Sequence, residues 1–269
     1  MSNRIIVIND ETPFHEAIPS DVRRGLEPRD FKEHPLNMFS PPSQLQLIPR
    51  SEWSARIKEQ EEQKSSLEHL RLYTYGEVVP SLDQNGKGYC WAHSTTHATM
   101  LSRMIAGQPY VPLSAYAVAC KIKNFRDEGG WCGLSAKFAR ENGIPSQAFW
   151  PQQNMSRSND NEATWKNAAL HKTLEDWVDL TRPVYDNVLT FDQVATCLLS
   201  NIPCALDFNW WGHSVCGLRL VEVEPGSFGI KIWNSWGDSW SDRGMGVLQG
   251  NRAIPDNAIA IRSTVPSVS

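Results

Sequence analysis

The chain has 269 residues, 41% hydrophobic and 21% charged, with a formal net charge of −4. That is enough apolar material for one large core or two smaller ones. Mild acidity leaves no basic surface for nucleic acid or an anionic membrane, and no apolar run is long enough to span a bilayer.

The start, Met1 to Asp10, carries only four consecutive aliphatics and reads as no signal peptide. The six cysteines, at 90, 120, 132, 197, 204 and 216, form no CxxC pair or framework spacing. Reduced thiols in a cytoplasmic compartment are expected. Residues 1–47 hold prolines 13, 19, 28, 35, 41 and 42 among charges without periodicity, which predicts an extended arm. Residues 48–78 form a linker or helical insertion; Trp53 to Arg71, rich in Glu, Lys, Gln and Arg, reads as one largely solvated helix.

From Cys90, the residues Trp91, Ala98, Leu101 and Ile105 recur at helical spacing, with Gly107 as the stop. A second helix runs near Leu134 to Asn142 and closes at Gly143. A third is announced by the capping box Thr190-Phe-Asp-Gln193 and ends before Pro203. Alternating runs follow at 204–209, 214–224, 228–233, 245–249 and 258–262, the pattern of antiparallel strands. Helices followed by strands predict an α+β protein of two subdomains, 79–175 helical and 176–269 β-rich, with a cleft between them.

The segment Asp83-Gln84-Asn85-Gly86-Lys87-Gly88-Tyr89-Cys90-Trp91 places a glutamine six positions before a cysteine that opens a helix. Helix N-terminal dipoles favour the thiolate, and a side-chain amide nearby can stabilise an oxyanion. Such a thiol needs a histidine base. Of seven histidines, His213, in Trp-Gly-His213-Ser-Val, stands at the entry of a predicted strand in the other half, where it can face Cys90. Cys90, His93 and His97 share a helical face and could in principle bind zinc, but no fourth ligand is visible, so no metal or cofactor is expected. Trp210 and Trp211 read as core and cleft walls rather than a sugar platform.

Downstream lies Trp-Asn234-Ser-Trp236-Gly-Asp-Ser-Trp240. This block resembles the Asn-Ser-Trp-Gly signature of papain-like cysteine peptidases. The Gln84–Ser94 segment resembles the family's Gln-Gly-x-Cys-Gly-x-Cys-Trp-Ala-Phe-Ser, and His213-Ser-Val its His-Ala-Val. Glu128-Gly129-Gly130-Trp131 is similar to its Asn-Gly-Gly segment. The resemblance covers roughly residues 79–262. It implies a papain-like fold with a β-barrel-like C-terminal lobe, and a cysteine-type endopeptidase acting on polypeptides. Cys90 would be the nucleophile with a lowered pKa, His213 the base, Asn234 its orienter, and Gln84 the oxyanion donor. Gly129, Gly130, Trp131 and Cys132 would line the substrate site, and Trp236 would cover the His–Asn hydrogen bond.

The chain departs from that pattern at several places. Lys87 and Asp127 stand where the family has a disulfide, and an ion pair is expected in its place. Tyr89 and His93 replace a small residue and an aromatic. The extension before Ile48 is shorter than a typical family prodomain and lacks its helical pattern, so autoinhibition by residues 1–47 stays open but unsupported, and a cleft occupied by the arm would revive it. The other reading of the arm is a contact with a neighbouring subunit. On that view the chain is a papain-fold structural or interaction protein of a larger assembly, such as a virus or phage particle, with little or no proteolysis.

Overall fold

A computed structural model describes residues 5–18, 22–36, 46–74, 76–173, 178–182 and 187–261. The expected boundary between lobes at 175/176, the end of the last strand at Arg262, and Pro19, Pro41 and Pro42 lie outside these residues.

Among the described residues, seven strands form one sheet: β1 (Ile6–Ile8), β2 (Val178–Asp179), β3 (Cys204–Phe208), β4 (His213–Glu224), β5 (Ser227–Trp233), β6 (Met245–Gln249) and β7 (Asn257–Ala260). Their order is β1-β6-β5-β4-β3-β7-β2. All pairings are antiparallel except that of β1, which joins β6 in parallel, with Val7 opposite Val247. The sheet is open, which corrects the expected barrel-like lobe. Its edges, β1 and β2, are three and two residues long and pair with different neighbours. Helices cover the two faces instead: Ser214 meets Ser94 of helix α4, while Gly217, of opposite parity on β4, lies against Leu198 of α8.

The helices are α1 (Phe14–Ala17), α2 (Arg50–Glu62), α3 (Leu67–Tyr73), α4 (Cys90–Ile105), α5 (Ala115–Ile122), α6 (Cys132–Glu141), α7 (Glu162–Ala169) and α8 (Asn187–Leu199). The single solvated helix expected over 53–71 is two, and α3 is largely buried. Its charges meet opposite charges from the sheet: Glu68 pairs with Lys231 and Arg219. Arg71 donates to the carbonyls of Val79 and Arg243 and lies 4.4 Å from the centre of the Trp233 ring. Composition alone reads such residues as exposed, because it does not reveal the partners that make their burial tolerable. The capping box at Thr190 is also misplaced: α8 begins at Asn187, and Thr190 Oγ1 accepts the N–H of Arg182.

Helix α4 begins and ends where its sequence predicts, with Gly107 at φ +69° just beyond it. Unlike a surface helix, it is buried on every side from Cys90 to Met104. Its hydroxyls make that possible by bonding locally or across: Thr96 to the Ala92 carbonyl, Thr99 to the Thr95 carbonyl, Ser94 to Ser214, and Thr95 to Ser135. The result is a rigid rod through the centre, packed on β3 and β4, with Cys90 at its tip.

Candidate active site

The loop before α4 is fixed by polar contacts at both ends. Gln84 N–H donates to the Ser235 carbonyl (2.9 Å), Ser235 Oγ–H donates to Gln84 Oε1 (2.8 Å), and the Tyr116 hydroxyl donates to the Gln84 carbonyl (2.7 Å). With Oε1 anchored, the Gln84 amide points its Nε2 donors the other way. Lys87 and Asp127 lie 3.5 Å apart, as the missing disulfide led us to expect, and Arg23 joins them on the same carboxylate. Asp127 Oδ1 also accepts the N–H of Gly88 (2.8 Å), bracing the loop through its backbone.

His213 opens β4, and its Nε2 meets Asn234 Oδ1 at 2.7 Å. Asn234 sits between β5 and β6, held by its N–H to the Gly244 carbonyl and by the Ser81 hydroxyl donating to its own carbonyl. The imidazole lies against Trp236, ring centres 4.5 Å apart, and edge-on to Trp211 at 4.9 Å. His213 and Asn234 are fully buried, so water does not compete for their hydrogen bond. Among the described residues, His213 Nδ1 has no hydrogen-bond partner. Its neighbour Ser214 contacts Ser94 of α4, one turn beyond Cys90. Gln84 is thus tied through Ser235 to the residue next to Asn234, Asn234 to His213, and the residue after His213 to the helix that Cys90 opens.

His93 and His97 are turned to other tasks. His93 Nδ1 is 2.8 Å from the Tyr89 carbonyl and its Nε2 is 3.0 Å from the Gln152 amide; His97 accepts the Leu82 N–H and stacks on Trp233 at 3.8 Å. Among the described residues no group of three metal-ligating side chains is assembled.

The arm, whose path the sequence left open, fills the cleft. Gln84 Nε2 donates to the Arg23 carbonyl (2.8 Å). Gly25 follows, so close that a Cβ on it would lie 2.2 Å from the Gly88 oxygen. Leu26 then bridges Gly130 in parallel: Gly130 N–H donates to the Gly25 carbonyl, and Glu27 N–H to the Gly130 carbonyl, each at 2.9 Å. Gly130 must be small, since a Cβ there would meet the Trp91 ring at 2.8 Å. Gly129 faces the arm in the same way, a Cβ on it falling 2.7 Å from the Gly25 oxygen. Trp131 and Cys132 continue the wall, with Cys132 N–H donating to the buried Asp207 (3.0 Å). The described part of the arm lies on its own chain.

Burial reverses the expected acidity of Cys90. Loss of water pushes the Cys90 thiol up to about 12; the backbone N–H groups of Ser214, Gly25 and Trp91 oppose the shift and the Asp207 carboxylate adds to it. Burial likewise pushes His213 down to about 3, against the hydrogen bond to Asn234 and with help from Arg24 and His93. Dipoles at a helix start lower a thiol pKa only where desolvation does not outweigh them, and here it does. Both partners are held neutral. Sequence reasoning also missed Ser235, which anchors the Gln84 amide, and Asp207, whose carboxyl burial raises to about 6. The Asn234-Ser235 adjacency was the one available signal for Ser235; Asp207 had none.

No protein-family model matches the chain. Zingipain-2 of Zingiber officinale is 26% identical over 201 residues, 69% of this chain and 89% of that protein. Mexicain of Jacaratia mexicana is 24% identical over 184 residues, 63% of this chain and 82% of that protein. Among solved structures, xylellain, a cysteine protease from Xylella fastidiosa, aligns with a TM-score of 0.61 at 15% identity, over 90% of this chain and 97% of that one. At such identity the structural likeness establishes the fold.

Proposed function

We infer that this chain, a papain-like cysteine peptidase by its fold and its relatives, hydrolyses peptide bonds of polypeptides as an endopeptidase through Cys90, His213, Asn234 and Gln84. The observation that carries the residue assignment is the buried His213–Asn234 hydrogen bond, which leaves His213 Nδ1 unengaged on a strand coupled to the nucleophile's helix. With the arm displaced, His213 Nδ1 takes the Cys90 proton as sulfur attacks the peptide carbonyl. The developing oxyanion receives hydrogen bonds from Gln84 Nε2 and the Cys90 N–H. His213 then protonates the departing amine and activates water to hydrolyse the acyl-enzyme.

The arm supports this reading because it engages the same donors a substrate would, with the Arg23 carbonyl on Gln84 Nε2. It runs from Gln84 toward Gly130 and Trp131, whereas a substrate whose acyl side lies at Trp131 runs the other way. The arm therefore occupies the cleft in a direction that offers no correctly placed scissile bond. Six free buried cysteines, and Lys87–Asp127 in place of a disulfide, fit a reducing compartment. The test, in a Gly25→Val background that displaces the arm, is Cys90→Ala with an unchanged circular dichroism spectrum: amide hydrolysis and labelling by a thiol-directed epoxide should both vanish. Full activity in that variant would refute the mechanism.

A further inference from the structure

Beside Gly130 the arm inserts Arg29 into a recess of the body. Its Nη2 lies 2.9 Å from Asp179 Oδ2, with both side chains fully buried, and its guanidinium lies 4.6 Å from the centre of the Trp131 ring. Other contacts come from the arm itself: the carbonyls of His34 (2.7 Å) and Pro35 (2.6 Å), and the Phe31 ring. Those leave with the arm, whereas Asp179 and Trp131 stay. The register of β3, β7 and β2 puts a second carboxyl on the same face of the sheet. Asp179 stands opposite Ile259, which stands opposite Ala205, and Asp207 and Asn257 are paired two residues further along. Asp207 meets the Cys132 N–H, so the carboxyls of Asp179 and Asp207 lie on the face where the wall after Gly130 begins.

A planar cation seated on an aromatic face and a carboxylate is a strong recognition motif when desolvated, and here it adjoins the backbone that pairs with an extended chain. We propose that this recess is a specificity pocket for an arginine or lysine side chain of the peptide substrate, with Arg29 as its resident stand-in while the arm is in place. The proposal rests on the peptidase reading for its substrate, but the pocket's chemistry does not depend on catalysis.

Two measurements test it separately. In Arg29→Ala full-length protein, arginine amide at millimolar concentration should raise the melting temperature, norleucine amide should not, and neither should affect wild type, whose recess is filled. Equal responses to the two amides in Arg29→Ala overturn the pocket. In a Gly25→Val background, fluorogenic peptides scanned with Arg, Lys, Leu and Glu at each acyl-side position should show an Arg:Leu ratio of kcat/KM of tenfold or more at one position. Adding Asp179→Asn should cut that ratio at least tenfold. Cleavage with a ratio that Asp179→Asn leaves unchanged overturns the proposal. A selective arginine-amide response with no cleavage of any peptide upholds the pocket and counts against the peptidase reading.

Discussion

Replacing Gly25 with valine should unmask the Cys90 thiol. The glycine sits where a Cβ would fall 2.2 Å from the Gly88 oxygen, a separation that real Cβ atoms do not show. Gly88 belongs to the loop braced by Asp127 and leading into α4. The arm, rather than that loop, is therefore expected to give way. In the closed state the Cys90 thiol is pushed up from 9.0 to about 12 by burial. Restoring even the ordinary value multiplies the thiolate fraction at pH 7 by about 10³, equivalent to about 4 kcal/mol. Helix-start dipoles freed from the desolvation cost would add to that. The assay is the rate of Cys90 carboxamidomethylation by iodoacetamide, followed by mass spectrometry, with the other five buried cysteines as internal controls. If wild type and Gly25→Val react at the same rate, the arm does not control the thiol.

Three further outcomes follow from the geometry. In the arm-displaced background, Gln84→Ala should lower kcat by about 10²–10³, the usual loss for one oxyanion donor; a change of only a few-fold in steady-state assays would remove Gln84 from that role. Lys87→Ala should cost less than about 1 kcal/mol in urea unfolding, because the pair is partly exposed and Arg23 also neutralises Asp127; a larger loss would mean the pair braces the loop more strongly. Stability should fall between pH 7.5 and 5. His213, His93 and His171 have folded pKa values depressed by burial to about 3, 4 and 4, from an ordinary 6.5. The stability tied to neutral imidazole is present above 6.5 and lost as pH falls, on the order of 2 kcal/mol by pH 5 for each of the fully buried His213 and His93. Asp207, raised to about 6, works in the opposite direction and offsets part of the loss. Equal urea midpoints at the two pH values would contradict the account.

The central helix was legible because Cys90 to Gly107 carries both its periodicity and its stop, and the strands because their alternation survives into β3 to β7. The pairing of His213 with Asn234 was legible through chemistry and resemblance together. The acidity of Cys90 was not, because it depends on what covers the thiol. The covering segment, Arg23 to Glu27, pairs through backbone atoms, which leave little trace in side-chain identity. Helix α3 was read as exposed for a related reason, since Glu68 and Arg71 look like surface residues until Lys231, Arg219 and Arg243 arrive from residues far along the chain. The two-residue edge strand β2 carries Asp179, and no local pattern marked it as a partner for Arg29.

The parallel strand β1 has a further consequence for release. Residues 6–8 are stitched to β6, Asp10 accepts N–H groups of Asn251 and Arg252, and at the other end the chain is continuous with α2. The covering segment is thus a leash fastened at both ends, and its local concentration at the cleft is of millimolar order, as for a short intramolecular tether. A single backbone cut would leave each fragment attached to the body, one through a strand and the other through a peptide bond. Opening is then a competition that an incoming peptide wins by abundance or by a better-fitting side chain, and a lone nick would change its odds without ending it.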